Sequence, residues 1–177
     1  LGGMQAAKML GRNFDRLVML SSLSKRSNVP GMRSGFVAGD AAILKKFLLY
    51  RTYHGCAMAP PVQLASTAAW NDEAHVLDNR NQYREKFAAC TPLIGEVLGT
   101  RMPDASFYLW ARTPVTDTEF ARGLLEHYNV VVLPGSFLAR EVKDINPGAN
   151  FVRIALVASA AECLDAASRI RRFAQQL

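Results

Sequence analysis

The sequence has few of the residues that build metal sites and disulfide frameworks. It contains 3 cysteines and 3 histidines in 177 residues. Cys56, Cys90 and Cys163 are odd in number and far apart, and no histidine stands at ligand spacing from any of them. We therefore expect neither a structural zinc site nor a disulfide framework, and the metal-binding classes of protein are disfavoured.

Long hydrophobic runs are also lacking. No apolar run approaches the roughly 18 residues that a membrane span needs. No basic segment followed by an apolar one opens the sequence. We therefore expect a cytoplasmic protein without a membrane partner. Hydrophobic residues still make up 50% of the chain, which excludes a disordered protein and predicts one globular unit or two small ones.

Charge of one sign does not dominate any long segment. The chain has 21 Lys and Arg against 15 Asp and Glu, a net charge of +6 that could attract an anionic metabolite, acidic lipid or nucleic acid. The one dense basic cluster, Arg169, Arg171 and Arg172, falls on a predicted amphipathic helix, where a solvated face is the favoured interpretation. No nucleic-acid partner is expected. A basic interaction module is the alternative, and it would need these arginines on one exposed face with Lys45 and Lys46.

Hydrophobic periodicity predicts a mixture of helices and strands. Two strands are expected first, at Leu17–Leu20, of the buried type, and at Phe36–Gly39. Helices should follow at 41–51, 61–70 and 72–98, the first capped by Asp40 and the last containing Pro92. Further along we expect strands at 105–111, 130–133 and 151–157, and helices at 117–128 and 160–175.

The turn between the first two predicted strands is unusually long and polar. It reads SSLSKRSNVPGMRSG, more than a hairpin needs, and so a functional role is favoured. The hydroxyls of Ser22 and Ser24 and the guanidinium of Arg33 are donors that suit a phosphate group. Gly31 and Gly35 would let the backbone approach a bound anion.

Lys25 gives this turn a second chemical capability. It follows the end of a strand that is predicted to be buried, so a rigid backbone would hold its amine in place. Burial beside Arg26 or Arg33 would favour the neutral amine, which is the nucleophile of Schiff-base chemistry. Pyridoxal 5'-phosphate would use both features, with Lys25 for its aldehyde and Ser22, Ser24 and Arg33 for its phosphate. A solvated surface loop is the alternative.

The spacing SxSKxxxxPGxRxG in this turn resembles the lysine signature of the class I/II pyridoxal-phosphate aminotransferases. The resemblance implies that Lys25 holds the cofactor and acts as the general base. It also implies that Ser22 and Arg33 contact the cofactor phosphate, with Ser24 as a weaker candidate.

Segments further along the chain carry the same resemblance. NFVRIALV places Arg153 where the family has a substrate-carboxylate arginine, on a strand shortly before the last helix. A cation in an apolar strand is costly unless a carboxylate compensates it, so we predict that Arg153 binds substrate. A structural ion pair with an acid such as Glu162 is the alternative. VLPGSF resembles the family's VxPGxxF turn, and SFYLW resembles GGFYLW with Ala105 and Ser106 in place of glycines.

Across most of its length the chain resembles the bacterial succinyldiaminopimelate aminotransferases most closely, in segments such as FLLYRTYHG, AAWNDEAHV and YREKF. The resemblance implies transamination between glutamate and the keto form of N-succinyl-diaminopimelate, in lysine biosynthesis. Small amino acids and keto acids would be the substrates, and the enzyme would be a homodimer. Another aminotransferase, a β-lyase of the same fold and a catalytically inactive fragment are the alternatives.

The resemblance also predicts the fold, an α/β arrangement that forms the C-terminal part of a pyridoxal-phosphate aminotransferase. Residues 1–70 would end the large cofactor domain, 71–99 would form a long linking helix, and 100–177 would form the small α+β domain. The family's cofactor aspartate and tyrosine lie upstream of the lysine, and only 24 residues precede Lys25 here. The isolated chain is therefore expected to bind the cofactor poorly.

Overall fold

The computed structural model describes residues 2–55 and 57–177, and these form two compact units. One unit ends at Asn79, and the other runs from Arg80 to Leu177. Cys56, one of the three cysteines in the prediction above, lies outside the described residues.

The first unit contains a β-hairpin and several helices. Strands β1 (Val18–Ser22) and β2 (Gly35–Gly39) pair antiparallel, with Val18 opposite Gly39 and Ser22 opposite Gly35. The helices are α1 (Gly3–Met9), α2 (Leu23–Arg26), α3 (Ala41–Tyr53), α4 (Pro60–Asn71) and the start of α5 (Ala74–Leu98). A single 3-10 turn, Pro30–Met32, lies between α2 and β2.

Strand β2 begins and ends with glycine because the backbone of β1 comes close at both ends. A Cβ atom on Gly35 would lie 2.7 Å from the Ser21 carbonyl oxygen, and one on Gly39 would lie 2.0 Å from that of Leu17. Nothing lies within 4 Å of the Cβ position of Gly31, and its approach to a bound anion stays a prediction. The close approach occurs where the strands pair, whereas Asn28 and Arg33, with φ 55° and 49°, are the left-handed residues of the turn.

Side-chain hydrogen bonds mark the start of two helices of the first unit, α3 and α5. The predicted cap of α3 is confirmed, since Asp40 Oδ1 accepts hydrogen bonds from the N–H groups of Ala42 and Ile43 at 2.8 and 3.1 Å. Helix α5 begins two residues later than predicted, at Ala74, whose N–H donates to Asp72 Oδ1 at 2.8 Å. Pro92 lies inside α5, as predicted.

The prediction that the first strand is buried is wrong. Leu20 is 76% exposed, and β1 pairs only with β2 among the described residues. A continuously apolar strand is buried on both faces only when other layers cover it. Here one face of the hairpin borders an open groove of about 520 Å³, lined in part by Leu20, Phe36 and Phe47.

The second unit combines a three-stranded antiparallel sheet with helices. The strands are β3 (Tyr108–Arg112), β4 (Leu133–Pro134) and β5 (Phe151–Ala155), in the spatial order β3-β5-β4. The helices are α6 (Asp117–Tyr128), α7 (Ala160–Ala174) and the remainder of α5.

The core of this unit forms on one face of the sheet. Side chains alternate along β3 and β5, so that Leu109 and Ile154 are buried while their neighbours in sequence lie on the opposite face. The helices add fully buried side chains to the same cluster, including Ile94, Phe120, Leu124 and Ile170. The other face of the sheet, called the outer face below, carries Tyr108, Trp110, Arg112, Leu133, Phe151 and Arg153.

Strand β4 is shorter than the predicted strand at 130–133. Asn129 ends α6 in the left-handed conformation, with φ 51°, and the N–H of Val130 bonds to the Leu124 carbonyl at 3.5 Å. The chain therefore leaves the helix without pairing to β5 until Leu133 and Pro134, which lie opposite Arg153 and Val152.

None of the helices among the described residues combines the length and the apolar character needed to cross a bilayer. Within residues 2–55 and 57–177, no three His, Cys, Asp or Glu side chains are grouped so that they could hold a metal ion. Cys90 and Cys163 are buried free thiols, and burial raises the pKa of Cys90 to about 11.

Candidate active site

The connection between β1 and β2, residues 23–34, is closed at its base by hydrogen bonds. Ser22 caps α2, because its Oγ accepts from the Ser24 N–H at 3.1 Å. The same Oγ lies 3.0 Å from both the Ser34 carbonyl oxygen and Ser24 Oγ, so it can donate to either. Leu23, fully buried, adds a backbone bond to the Ser34 carbonyl at 3.1 Å. These hydrogen bonds therefore hold the first and last residues of the polar turn together.

Two buried serines connect the end of this loop to α4. Ser34 and Ser66 are 3% and 4% exposed, and their Oγ atoms lie 2.8 Å apart. Ser66 Oγ also donates to the Val62 carbonyl at 2.6 Å, which ties the end of the loop to α4. Sequence reasoning missed both residues. Ser34 stands inside the matched signature, whereas no local pattern marks Ser66.

Lys25 lies on α2 and its side chain is exposed. The expectation that it is buried is wrong in this chain, because α2 is a single turn of which only Leu23 is buried. The amine is held by a short capped helix and not by a buried strand end. Exposure leaves the amine accessible to a carbonyl compound.

Two arginines near Lys25 in the sequence behave differently. Arg26 turns toward α4, where it donates to the Ala69 carbonyl at 3.0 Å, lies 4.8 Å from the centre of the Trp70 ring and pairs with Glu73. Arg26 is thus an anchor between α2 and α4. Arg33 is exposed and donates to the Pro30 carbonyl at 3.1 Å, which uses one of its five N–H donors.

Arg153 lies on the outer face, at the centre of the three-stranded sheet. It stands opposite Trp110 on β3 and opposite Leu133 on β4. Its Nε is buried without a hydrogen-bond partner among the described residues, and its Cζ lies 5.7 Å from the centre of the Tyr108 ring. A buried guanidinium nitrogen left unpaired is costly, so this arrangement favours an anion as the missing partner.

The alternative for Arg153, an ion pair with Glu162, is not made. The Glu162 carboxylate instead accepts from the N–H and the Oγ of Ser159, at 3.0 and 2.6 Å. Together with the bond from the Glu162 N–H to Ser159 Oγ, these contacts form the capping box of α7.

The three downstream motifs meet on the outer face. Gly135 of the VLPGSF segment packs so closely beneath Trp110 that a Cβ atom there would lie 2.8 Å from the Trp110 ring. Trp110, from SFYLW, stacks on Phe151, from NFVRIALV, with ring centres 5.6 Å apart. The segments that resemble the family therefore build one surface around Arg153.

The basic cluster of α7 is engaged in contacts within the unit. Arg169 pairs with Asp165 at 2.5 Å, and Arg171 pairs with Glu96 at 3.0 Å. Arg172 donates to the Ser168 carbonyl at 3.4 Å. Because two of these arginines are already paired with acids, the arrangement does not favour a basic interaction module.

Comparison with known proteins identifies the family. The sequence profile described as "Aminotransferase class I and II" matches residues 4–170, almost the whole chain. The chain belongs to this family. Its members depend on pyridoxal phosphate, the cofactor predicted from the lysine loop.

Solved structures and curated relatives agree with this assignment. An aminotransferase from Neisseria meningitidis matches with TM-score 0.90 and 57% identity, over 98% of this chain and 44% of that one. A probable N-succinyldiaminopimelate aminotransferase from Thermus thermophilus matches with TM-score 0.77 and 32% identity, over 97% and 43%. A probable aminotransferase of Mycobacterium tuberculosis is 34% identical over 155 residues, which are 87% of this chain and 35% of that protein.

These matches confirm the predicted α/β fold as part of an aminotransferase fold. The chain spans less than half the length of these relatives. The division into domains and the roles of Ser22, Ser24, Lys25, Arg33 and Arg153 stay predictions.

The residues present fit the family's cofactor. The loop offers an accessible primary amine at Lys25, hydroxyl groups at Ser22 and Ser24, and a guanidinium with unused donors at Arg33. An amine suits an aldehyde, and hydroxyls with a guanidinium suit a phosphate ester. All four groups lie at or within the one connection whose ends the Ser22–Ser34 contacts hold together.

Proposed function

We propose that this protein catalyses the transfer of an amino group between an amino acid and a keto acid, with pyridoxal phosphate as cofactor. The observation that carries the proposal is the loop between β1 and β2, where Ser24, Lys25 and Arg33 are displayed on a backbone closed by Ser22 and Ser34. When bound, pyridoxal phosphate supplies an aldehyde that accepts the amino group and a ring that withdraws electrons from the substrate Cα.

Lys25 has two roles in this proposal. Its amine would hold the aldehyde carbon of the cofactor between turnovers. Once substrate has displaced it, the amine would take the proton from the substrate Cα and return it to the carbon that carried the cofactor's aldehyde. One residue thus serves attachment and proton transfer, and its loss should abolish both.

The cofactor phosphate is assigned to Ser22, Ser24 and Arg33. Ser24 Oγ lies 3.0 Å from Ser22 Oγ and can donate its own hydrogen outward. Ser22 Oγ already has the Ser34 carbonyl within reach, so its donation to phosphate would replace an internal bond. Arg33 adds the positive charge and a planar pair of donors.

Arg153 is assigned to the α-carboxylate of the substrate. Its Nε is buried and unpaired among the described residues, so a bound carboxylate would complete its hydrogen bonding. A bidentate contact between guanidinium and carboxylate fixes orientation as well as position, and it would present the substrate Cα in one geometry.

The reaction that we propose in detail is between glutamate and the keto form of N-succinyl-diaminopimelate, in lysine biosynthesis. It is supported by the likeness to the Thermus thermophilus protein named for that substrate, at 32% identity. The net charge of the chain, +6, suits a substrate with several carboxylates. Product analysis with glutamate and a keto acid separates this reaction from β-elimination on the same fold.

The homodimer and the cytoplasmic location belong to this proposal and stay predictions. Because the chain covers 35% to 44% of the relatives reported above, activity is to be tested with the chain itself and with any longer protein that includes it.

The test is chemical trapping of the cofactor. The protein is incubated with pyridoxal phosphate, reduced with sodium borohydride and digested, and the phosphopyridoxyl group is located by mass spectrometry. We expect the added mass on the peptide that contains Lys25. Lys25→Ala should remove it, together with the visible absorbance of the complex.

Lys45→Ala is the matched control, since Lys45 is also an exposed lysine on a helix of the first unit. It should leave the labelling unchanged. Label spread evenly over Lys45, Lys46 and Lys25 would show a general affinity of surface amines for the aldehyde and would contradict the proposal.

A further inference from the structure

We propose that Cys90 and Cys163 form an oxidisable thiol pair, in which hydrogen peroxide reacts first with Cys163 and the product becomes a disulfide between α5 and α7. Both cysteines are free thiols in the structure and belong to the core of the second unit. Neither takes part in the proposed transamination, so the proposal stands apart from it. The alternative is that each cysteine serves only as a small hydrophobic core residue.

The alignment of α5 with α7 follows from contacts on either side of the two cysteines. Toward the start of α5, Lys86 donates to the Leu156 carbonyl at 3.3 Å, shortly before α7 begins. Toward the end of α5, Glu96 pairs with Arg171 of α7 at 3.0 Å. The two helices therefore run in the same direction, and both cysteines lie in the stretch between these contacts.

The two thiols lie on the buried faces of their helices. Cys90 and Ile94, four residues apart on α5, are fully buried. Cys163, Ala167 and Ile170 recur at helical spacing on α7 and are buried as well. All five side chains belong to one hydrophobic cluster. Helices that pack together have axes about 8–10 Å apart, so facing Cα atoms can approach the roughly 4.4–6.8 Å that a disulfide spans.

Electrostatic coupling supports the closeness of the two thiols. Burial raises the pKa of Cys90 to about 11, and the charge of Cys163 adds to this increase. Burial also raises the pKa of Cys163. The ammonium group of Lys86, a residue only 8% exposed, opposes the increase at both cysteines. One buried cation thus favours the thiolate, the reactive form, at either position.

A cavity gives a small oxidant access to Cys163. Its volume is about 370 Å³, and its walls include Cys163, Leu156 and Ile170. Cys90 is 0% exposed. Oxidation should therefore begin at Cys163, and Cys90 should react with the oxidised sulfur and not with peroxide itself.

The reaction takes two steps. The Cys163 thiolate attacks one oxygen of hydrogen peroxide, the O–O bond breaks, and the released hydroxide takes up the thiol proton as water. This step leaves a sulfenic acid on Cys163. The Cys90 sulfur then attacks the Cys163 sulfur, the S–O bond breaks, and the departing hydroxide leaves as water with the Cys90 proton. Each sulfur has then lost one electron, and the peroxide has gained both.

The experiment follows this bond in the folded chain. Cys56→Ser removes the third cysteine, so that only one disulfide can form within a chain. The protein is treated with hydrogen peroxide, unfolded with iodoacetamide to block free thiols, and digested with trypsin. We expect mass spectrometry to find peptides 87–101 and 154–169, which carry one cysteine each, linked before treatment with dithiothreitol and separate after it.

Single substitutions in the Cys56→Ser background test the order of the two steps. Cys90→Ala should stop the reaction at the sulfenic acid of Cys163, which dimedone would trap on peptide 154–169. Cys163→Ala is the matched control, since it keeps the fully buried Cys90 but removes the thiol at the cavity. It should show little dimedone label on peptide 87–101.

Urea unfolding tests whether the bond suits the folded state. The linked chain should unfold at a higher urea concentration than the reduced chain, because a cross-link with native geometry restricts the unfolded chain. The indole signal of Trp110 reports on this unit. A lower midpoint for the linked chain would show that the bond distorts the fold, and it would overturn the proposal.

Three other results would also overturn it. The first is oxidation of both thiols to sulfinic acids without any linked peptide. The second is linkage only between chains, recognised by its dependence on protein concentration. The third is dimedone labelling of Cys90 in Cys163→Ala as fast as that of Cys163 in Cys90→Ala. Since no cofactor is present in these measurements, failure of the Lys25 labelling would leave their outcome unaffected.

Discussion

The two units place their hydrophobic residues in opposite ways. The second unit buries a continuous cluster, in which Phe120, Leu124 and Ile170 are fully inaccessible. In the first unit, Leu23 and Val76 are the buried apolar side chains among the described residues, while Leu48 and Tyr53 are 70% and 81% exposed. A unit with a core of its own can hold its fold by burial, and a unit without one depends on local polar contacts.

The loop proposed to carry the cofactor belongs to the unit with the smaller core. It is held by the hydrogen bonds of Ser22, Ser34 and Ser66 and by the anchor of Arg26 on α4. The outer face, in contrast, is built on a sheet whose other side is fully packed. We infer that the packed core holds the outer face rigid, whereas the geometry around Lys25 depends on these hydrogen bonds.

The largest effect that tests this comparison is loss of a core side chain. Phe120→Ala should lower the free energy of unfolding of the second unit by about 3–5 kcal/mol, because it leaves a cavity in a packed core. Leu48→Ala, in the first unit, should change stability by less than about 0.5 kcal/mol, since that side chain is mostly in solvent. Urea unfolding followed by the indole signals of Trp110 and Trp70 measures each unit separately.

A loss of several kcal/mol for Leu48→Ala would show that this side chain packs into a core of the first unit, in contrast to its exposure in the structure. Equal losses for both variants would remove the contrast between the units. Coincident transitions of the two indole signals would show instead that the units unfold together.

A smaller and pH-dependent effect concerns Asp117, at the start of α6. Burial alone would raise the pKa of this carboxyl group, but hydrogen bonds from Ser136 and from the Asn150 N–H outweigh it, and the pKa is lowered. The Ser136 and Asn150 N–H groups lie 2.8 and 3.4 Å from its oxygens, joining three segments of the second unit. Asp117→Asn should therefore lower stability at neutral pH by about 1–3 kcal/mol.

The sign of the pH dependence follows from the lowered pKa. The contribution of Asp117 is fully present above the unfolded value of about 3.9 and is lost as the pH falls through the lower folded value. Urea unfolding between about pH 7 and pH 2 should show a smaller acid-induced loss in Asp117→Asn than in the wild type. Identical slopes would contradict this role.

Asp40 is the counterpart of Asp117 in the first unit. Hydrogen bonds from the N–H groups of Arg16, Ile43 and Ala42 lower the pKa of its carboxyl group. Protonation of Asp40 in acid should loosen the start of α3, which hydrogen exchange of the α3 amides would detect, without a matching change at Trp110. A change at Trp110 would show that the two units are coupled in stability.

Local chemistry explains which parts of the fold could be predicted from sequence. The cap at Asp40 was predicted correctly because a cap requires only a side chain and the next three residues. Burial is not local. The apolar run at Leu17–Leu20 has the composition of a buried strand, but its exposure is decided by what packs against β1, which composition does not encode.

The candidate site shows the same division. The spacing of Lys25 and Arg33 could be recognised in the sequence, and the structure places both in one closed loop. Ser66 could not be singled out, because it gains its position from Ser34, which lies in a distant segment of the chain. Register depends on the whole pattern of a sheet, so the position of Arg153 opposite Trp110 and Leu133 becomes visible only when the strands are aligned.

The smallest effect concerns the capping box of α7, and it tests whether the core of the second unit makes local contacts dispensable. Ser159→Ala removes the Oγ that accepts from the Glu162 N–H at 3.3 Å and donates to its carboxylate at 2.6 Å. We expect a loss of about 1 kcal/mol in the unfolding of this unit. Ser168→Ala, in the middle of the same helix, removes only a bond to the Leu164 carbonyl and improves helix propensity, so it should cause no loss. If Ser159→Ala proved as neutral as Ser168→Ala, packing of α7 alone would fix its first turn. Side-chain hydrogen bonds of the kind that hold the first unit would then be unnecessary in the second.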